Sequence, residues 1–125
     1  MKIIFDNKLL TPLYKQLSNQ VEKQILDGTL ENGYNLPSIR NFAKELEISV
    51  ITVKKAYEIL VEKKLIESKV GKGFFVGGEN SNILGETIDK KINEYLREGI
   101  KLGNTINLSK EDLIRKLEKL YREET

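Results

Sequence analysis

The chain has 125 residues, of which 39% are hydrophobic and 32% are charged, enough for one medium core or for one small core with an appendage. It contains no cysteine and no histidine, which excludes disulfides, thiolate metal sites, thiol nucleophiles and the usual near-neutral acid–base group. It also lacks paired acids in a glycine-rich or strand-end setting, so we expect no enzyme, no metal and no cofactor. Because no apolar run approaches the roughly 20 residues of a membrane span, we expect a cytoplasmic protein.

The net charge of +2 is distributed unevenly along the chain. Residues 1–78 carry twelve Lys or Arg against nine Asp or Glu, whereas residues 79–125 carry nine against ten. The positive excess therefore lies in the first part of the chain. Taken alone, this pattern is equally compatible with a mixed, solvated surface and with nucleic-acid binding.

The first predicted helix begins at Thr11-Pro12, where the threonine oxygen can accept a free amide and proline already has a helical φ. It carries an apolar stripe at four-residue spacing and ends at Asp27-Gly28. The stripe, predicted to face the core, consists of Leu13, Leu17, Val21, Ile25 and Leu26. Residues 30–37 are predicted to be a connector.

Two short helices joined by a turn come next. Ser38 and Ser49 are suited to cap them, and Glu47 and Ile48 make the turn. The inward sides are predicted to contain Ile39, Phe42, Ala43 and Leu46 in the first helix, and Val53, Ala56, Tyr57 and Leu60 in the second. Two helices joined by so short a turn form a helix-turn-helix unit, whose second helix lies in the DNA major groove.

A β-hairpin is predicted directly after this unit. Residues 65–69 and 74–76 favour strands, and they are separated by Val70-Gly71-Lys72-Gly73, in which two glycines allow the positive φ of a tight turn. The hairpin would form a wing. Lys72 must then reach outward, either to a phosphate or minor groove or simply into solvent.

The outward face of the second short helix carries groups that suit a DNA groove. They are two hydroxyls, two ammonium groups and two β-branched side chains, which match phosphates, base edges and thymine methyl groups. These residues are Ser49 and Thr52, Lys54 and Lys55, and Val50 and Ile51. Ile51 has an alternative place against the preceding helix. Arg40 can bridge two phosphate oxygens or the O6 and N7 atoms of guanine, or else it is solvated.

Residues 77–81 are predicted to be a hinge, because paired glycines and small polar residues favour neither helix nor strand. Two amphipathic helices follow, the first ending near Gly103 and the second opened by a capping box of Ser109 and Asp112. Their apolar residues are Leu84, Ile88, Ile92, Tyr95, Leu96 and Ile100, and then Leu113, Ile114, Leu117, Leu120 and Tyr121. So small a segment needs a partner for this face, either the head or a second copy in a four-helix arrangement.

Residues 11–77 resemble the winged helix-turn-helix head of the GntR family of bacterial transcription regulators. The resemblance rests on Pro12-Leu13-Tyr14, Leu36-Pro37-Ser38 with Arg40, Ala43, Thr52-Val53-Lys54, Ala56-Tyr57, and Gly71-Lys72-Gly73 with Phe75-Val76. The short segment after it is similar to the YtrA subfamily, in which two helices serve dimerisation. The implied fold is mainly α with a small β-hairpin: a winged helix-turn-helix DNA-binding domain (residues 1–77) followed by a short helical dimerisation domain (residues 78–125).

The resemblance implies a homodimeric repressor of a palindromic operator, often that of a transporter operon, and it names no small-molecule effector. The candidate DNA-binding residues are Ser38, Arg40, Ser49, Val50, Ile51, Thr52, Lys54, Lys55, Gly71 and Lys72. The candidate dimerisation residues are Leu84, Ile88, Ile92, Tyr95, Leu96, Leu113, Leu117, Leu120 and Tyr121. The competing hypothesis is a protein-interaction module that docks a partner through Val50, Ile51 and the last two helices.

Three positions depart from the family pattern. Val50 stands where many members carry an arginine after the capping serine, so a base contact by that arginine is not expected and the operator sequence would differ. Glu47 occupies a turn position where glycine is frequent, and a left-handed conformation there would cost about 1–2 kcal/mol. Phe74 replaces a common threonine, a change that we expect to be absorbed by packing under the wing.

Overall fold

The computed structural model describes residues 1–77 and 81–124, with side chains described for residues 1–77 and 85–124. Contacts divide the chain into two units, Met1–Ile88 and Asp89–Thr125. In chain order the elements are α1 (Leu13–Leu26), β1 (Asn35–Leu36), α2 (Ile39–Leu46), α3 (Val50–Glu62), β2 (Ile66–Lys69), β3 (Gly73–Val76), α4 (Ser81–Thr105) and α5 (Lys110–Glu124). A mainly α fold with a small β-structure is therefore confirmed.

The first unit is built around one apolar core, because the stripes of three helices and the inner face of the sheet converge on it. The core consists of Leu17, Val21, Ile25, Leu30, Leu36, Phe42, Ala43, Val53, Ala56, Tyr57, Leu60, Leu65, Ile66 and Val76. The predicted inward faces of α1 and α3 are confirmed with one exception. Leu13 is 36% exposed, because α1 begins with this residue at the edge of the core.

The start of α1 differs in detail from the prediction. The helix begins at Leu13 with Pro12 in the N-cap position, and no side chain caps it. The threonine cap expected at Thr11 is therefore not made. Instead, the backbone carbonyl of Thr11 accepts a hydrogen bond of 2.8 Å from Nε2 of Gln16, which is itself buried.

Three glutamines at four-residue intervals on α1 hold the amino-terminal segment along the helix. Their hydrogen bonds join Gln16 to the backbone of Asp6, Gln20 to that of Ile4 and Gln24 to that of Lys2, with lengths of 2.6–3.1 Å. A side-chain amide has both a donor and an acceptor, so it can satisfy an extended backbone as a neighbouring strand would. Between these bonds, Ile3 and Phe5 pack against the core.

The sheet contains one more strand than the sequence predicted. The hairpin of β2 and β3 is confirmed, with Ile66 opposite Val76 and Lys69 opposite Gly73, but β1 also pairs with β3 in the order β1-β3-β2. This two-residue strand lies in the segment predicted to be only a connector. It therefore ties the approach to α2 directly to the wing.

The second unit contains a tight reversal between α4 and α5. The helix ends at Thr105, two residues beyond the predicted end near Gly103, and the chain turns through Asn107, which has a φ of 58°. A β-carbon on residue 103 would lie 3.4 Å from Cδ2 of Leu113, an ordinary van der Waals distance, so the start of α5 packs beside this residue without requiring a glycine there.

The capping box at the start of α5 is confirmed. The backbone amide of Ser109 donates to Oδ2 of Asp112 at 3.0 Å, and the amide of Asp112 donates to Oγ of Ser109 at 3.1 Å. These bonds to the backbone and hydroxyl of Ser109, together with that from Arg115, hold the pKa of Asp112 below its usual value. The last helix is thus fixed locally at its first turn.

Candidate nucleic-acid interface

The first helix of the helix-turn-helix unit is positioned by its cap and by its buried face. Ser38 has an extended backbone, and its side chain accepts a hydrogen bond of 3.1 Å from the amide of Asn41. Phe42 and Ala43 are buried in the core. Arg40 lies between them and the cap with its side chain exposed, as its sequence position predicted.

The turn is closed by a residue in the left-handed conformation. Glu47 has φ 56° and ψ 44°. It therefore adopts the left-handed conformation although many family members carry glycine at this position. Beyond it, the amide of Ile48 donates to the carbonyl of Ala43 at 3.0 Å and ends α2. A non-glycine residue pays about 1–2 kcal/mol for this conformation, so the turn stores strain.

The recognition helix α3 is fixed by the inward residues Val53, Ala56, Tyr57 and Leu60. The hydroxyl of Tyr57 donates to the carbonyl of Pro37 at 2.7 Å, and its ring lies 4.8 Å from that of Phe74 in an edge-to-face arrangement. Burial raises the pKa of Tyr57, so its hydroxyl stays protonated as a donor. The side chain of Tyr57 therefore joins α3, the residue before the cap of α2, and the wing. The packing expected for Phe74 under the wing is confirmed.

The first turn of α3 is held by a paired cap. Oγ of Ser49 accepts from the amide of Thr52 at 3.1 Å and lies 2.7 Å from the hydroxyl of Thr52. The two hydroxyls share one hydrogen bond, so a single hydroxyl proton remains for another partner. Part of the hydrogen-bonding capacity that the sequence assigned to DNA is thus used within the protein.

Aliphatic and cationic side chains cover the outward face of α3. Val50 is 46% exposed and Ile51 is 66% exposed, so Ile51 does not take the alternative place against α2. Lys54 and Lys55 are also exposed, and the ammonium group of Lys55 lies 5.4 Å from the centre of the Tyr14 ring. Lys55 is therefore held partly by a cation–π contact within the unit.

The wing presents its tip to solvent. Gly71 and Gly73 have φ values of 76° and 83°, which confirms the glycine-dependent turn, and the amide of Lys72 donates to the carbonyl of Lys69 at 3.0 Å. The side chain of Lys72 is exposed as predicted. Val70 beside it is fully exposed as well. The exposure of Val70 was not predicted, although an aliphatic residue at the tip of a hairpin has no core to enter.

Three cations of this surface have no carboxylate partner in the part of the chain that the structure describes. Within the described residues, no ion pair is formed by Arg40, Lys54 or Lys72. By contrast, Nζ of Lys63 at the end of α3 lies 3.3 Å from Oε2 of Glu22. An unpaired, exposed cation keeps its full charge for a polyanion. The head therefore offers a guanidinium and two ammonium groups on the helix-turn-helix unit and the wing.

The described residues show neither a metal site nor a membrane span. No group of three or more histidine, cysteine or acidic residues is placed to hold a metal ion in the described ranges. Across those same ranges, no helix combines the length and the apolar character needed to cross a bilayer.

A helix-turn-helix unit followed by a hairpin is the winged-helix arrangement, and the exposed cations on it are typical of a DNA-binding protein. Comparison with known proteins agrees, because the family described as "Bacterial regulatory proteins, gntR family" matches residues 13–76. The chain belongs to the GntR family.

Several curated relatives are transcriptional regulators. The chain is 31% identical over 96 residues to the HTH-type transcriptional repressor YtrA of Bacillus subtilis (strain 168), a match that covers 77% of this chain and 74% of YtrA. It is 32% identical over 126 residues to the uncharacterized HTH-type transcriptional regulator YdeF of the same organism, covering 94% of the chain but 25% of YdeF, so it spans about a quarter of that relative. It is also 37% identical over 71 residues to the mannosyl-D-glycerate transport/metabolism system repressor MngR of Escherichia coli (strain K12), covering 57% of the chain and 30% of MngR.

Solved structures give the same result. A GntR family transcriptional regulator from Listeria monocytogenes has a TM-score of 0.67 and 27% identity, covering 92% of this chain and 98% of its own. YtrA from Sulfolobus acidocaldarius, a GntR-family transcription factor, has a TM-score of 0.61 and 30% identity, covering 98% and 97%. AraR(DBD) in complex with operator ORX1 has a TM-score of 0.54 and 25% identity, covering 62% and 96%. The chain is therefore a YtrA-like, DNA-binding transcriptional regulator.

Proposed function

We propose that the protein is a homodimeric repressor that binds a two-fold symmetric operator, with its two α3 helices in major grooves about one helical turn apart. The main support for DNA binding is the exposed surface of the head. On it, Arg40, Lys54 and Lys72 have no carboxylate partner among the described residues. The repressor role is supported by the name of the relative YtrA. Such a regulator acts in the cytoplasm, where bacterial DNA lies.

The dimer is supported by the apolar rows on the last two helices. In the second unit, six of the predicted dimerisation residues are exposed by about half or more: Ile92, Tyr95, Leu96, Leu117, Leu120 and Tyr121. Large apolar side chains exposed at helical spacing mark interaction surfaces. We assign this face to a second copy of the chain, and residues 78–125 to dimerisation.

Three predicted dimerisation residues stand apart from these rows. Ile88 packs against the core of the first unit, and Leu113 lies half-buried beside Gly103. The side chain of Leu84 lies outside the described residues. The contribution of these three to the dimer is therefore smaller in our proposal than that of the exposed rows.

Selection of bound duplexes from a random pool tests DNA reading. We expect a symmetric consensus whose affinity falls steeply as salt rises, because each neutralised phosphate releases counterions. If the folded protein binds no duplex at low salt, the proposal is wrong. A consensus sequence without two-fold symmetry would contradict binding as a dimer but would still support sequence-specific DNA binding.

A charge placed in the apolar row tests the dimer. Leu96→Glu should weaken self-association about tenfold or more, because a carboxylate buried at an interface loses its hydration. Lys90→Glu is the matched control, since it places the same carboxylate about 120° around α4 on an exposed position. Sedimentation equilibrium measures both variants, and equal association of Leu96→Glu and the wild type would reject this interface.

A second candidate function is a protein-interaction module, which the exposure of Val50 and Ile51 also favours. Docking of a protein partner through this apolar pair would respond weakly to salt and would not be competed by duplex DNA. DNA reading predicts the opposite in both respects. The two functions are therefore separated by one titration with competitor duplex at two salt concentrations.

The target genes are proposed from the relatives. MngR is named as a repressor of a transport and metabolism system, which supports a transporter operon as the target of this chain. Deleting the gene should raise the transcript of such an operon. Sequencing of RNA from the deletion strain tests this, and no change in any transcript that carries the selected consensus upstream would reject it.

A further inference from the structure

Val50 and Ile51 are the largest groups that the first turn of α3 offers to a groove. They are 46% and 66% exposed, whereas the next inward residue, Val53, is fully buried. The core is therefore complete without them. Most of Ile51 and about half of Val50 remain in water at the start of the helix, outside the core of their own unit.

Their polar neighbours have reduced capacity to read bases. Ser49 and Thr52 are tied to each other at 2.7 Å and to the helix cap, with one hydroxyl proton left between them. The position after the capping serine holds a valine, which has no hydrogen-bonding group. In this turn, hydrogen bonding to bases is therefore limited to one hydroxyl proton and the free hydroxyl lone pairs, whereas two exposed aliphatic side chains are available for apolar contact.

The charge around the pair fits duplex DNA. Lys54 lies three and four residues beyond Ile51 and Val50, hence on the same face of the helix one turn on, and it is exposed and unpaired among the described residues. Residues 49–57 contain two lysines and no acid. An apolar pair beside a cation complements a base-lined groove flanked by phosphates, whereas a purely apolar protein partner would leave the charge uncompensated.

We infer that Val50 and Ile51 read the C5-methyl group of a pyrimidine in the major groove, so that each operator half-site has a thymine at which the methyl group itself is recognised. This inference rests on the proposed DNA-reading function and adds the chemistry that the recognition helix selects. The methyl group packs against the two β-branched side chains and leaves the shared Ser49–Thr52 cap intact. A methylated cytosine presents the same group at the same place.

The test removes one methyl group at a time from the DNA. In the duplex obtained by random-pool selection, each thymine is replaced by uracil, which keeps base pairing and the O4 acceptor and loses only the C5-methyl group. At one or two positions in each half-site, the wild-type affinity should fall about fourfold, the factor expected for one buried methyl-sized group. At the remaining thymines the change should be small.

Protein variants assign the effect to the pair. In Val50→Ala or Ile51→Ala the thymine-to-uracil ratio at the sensitive position should fall toward one, and circular dichroism should show an intact helix because both residues are exposed. Val61→Ala is the matched control, since Val61 is a 39% exposed aliphatic residue near the far end of α3, and it should keep the fourfold ratio.

The outcomes separate this inference from the proposed function. Salt-sensitive binding of the consensus with no uracil-sensitive thymine, or a fourfold ratio that persists in both alanine variants, would overturn methyl recognition and leave DNA reading in place. Absence of binding to any duplex would overturn the proposed function itself. Cytosine and 5-methylcytosine, compared at the sensitive position, should differ by the same factor as uracil and thymine, and equal binding of the two cytosines would contradict recognition of the methyl group.

Discussion

Replacing Glu47 by glycine should stabilise the head domain. The residue has φ 56° and ψ 44°, which costs a non-glycine residue about 1–2 kcal/mol. Glycine removes that strain but loses roughly 0.5–1 kcal/mol more backbone entropy on folding. The carboxylate is exposed and has no partner among the described residues, so its removal costs no contact. The free energy of unfolding should therefore rise by about 0.5–1 kcal/mol.

Urea titration followed by circular dichroism measures this change, and a thermal melt should shift upward by roughly 2–8 °C. Glu47→Ala removes the same carboxylate but keeps the left-handed strain, so it should give no gain. Glu45→Gly, in the helical part of α2, should instead lose about 1 kcal/mol. If Glu47→Gly is no more stable than Glu47→Ala, the strain at this turn has been misassigned.

Three further variants test the surface and the fold. Arg40→Ala should lose about 1–3 kcal/mol of operator binding in a mobility-shift titration with an unchanged melting curve, and equal affinity would exclude a contact by the guanidinium. Lys72→Ala should weaken binding to every duplex and reduce the salt slope by about one, whereas a loss confined to one sequence would contradict a phosphate contact. Gln16→Ala should lower the free energy of unfolding by about 2 kcal/mol, because it frees the bonds to Asp6 and Thr11; Asn19→Ala on the exposed side of α1 is the control, and equal stability of the two variants would refute this role.

The sequence alone determined the elements whose causes are local. The caps at Ser38, Ser49 and Ser109 are each satisfied by an amide three residues later, so the residue types and their spacing were sufficient to predict them. The wing turn was equally local, because two glycines within three residues provide the positive φ values. Helical periodicity also placed Val50 on the outward face of α3, whereas the sequence left Ile51 with an alternative place against α2 that only the structure excluded.

Only the tertiary structure decided the features that join distant parts of the chain. Strand β1 exists because the edge of β3, some forty residues away, offers backbone partners to two residues that have no strand pattern of their own. The hydroxyl of Tyr57 reaches Pro37 across the core, and the glutamines of α1 meet a backbone segment that precedes the helix. Residue propensity reports what a segment favours in isolation, whereas these contacts depend on which groups the folded core leaves within hydrogen-bonding distance.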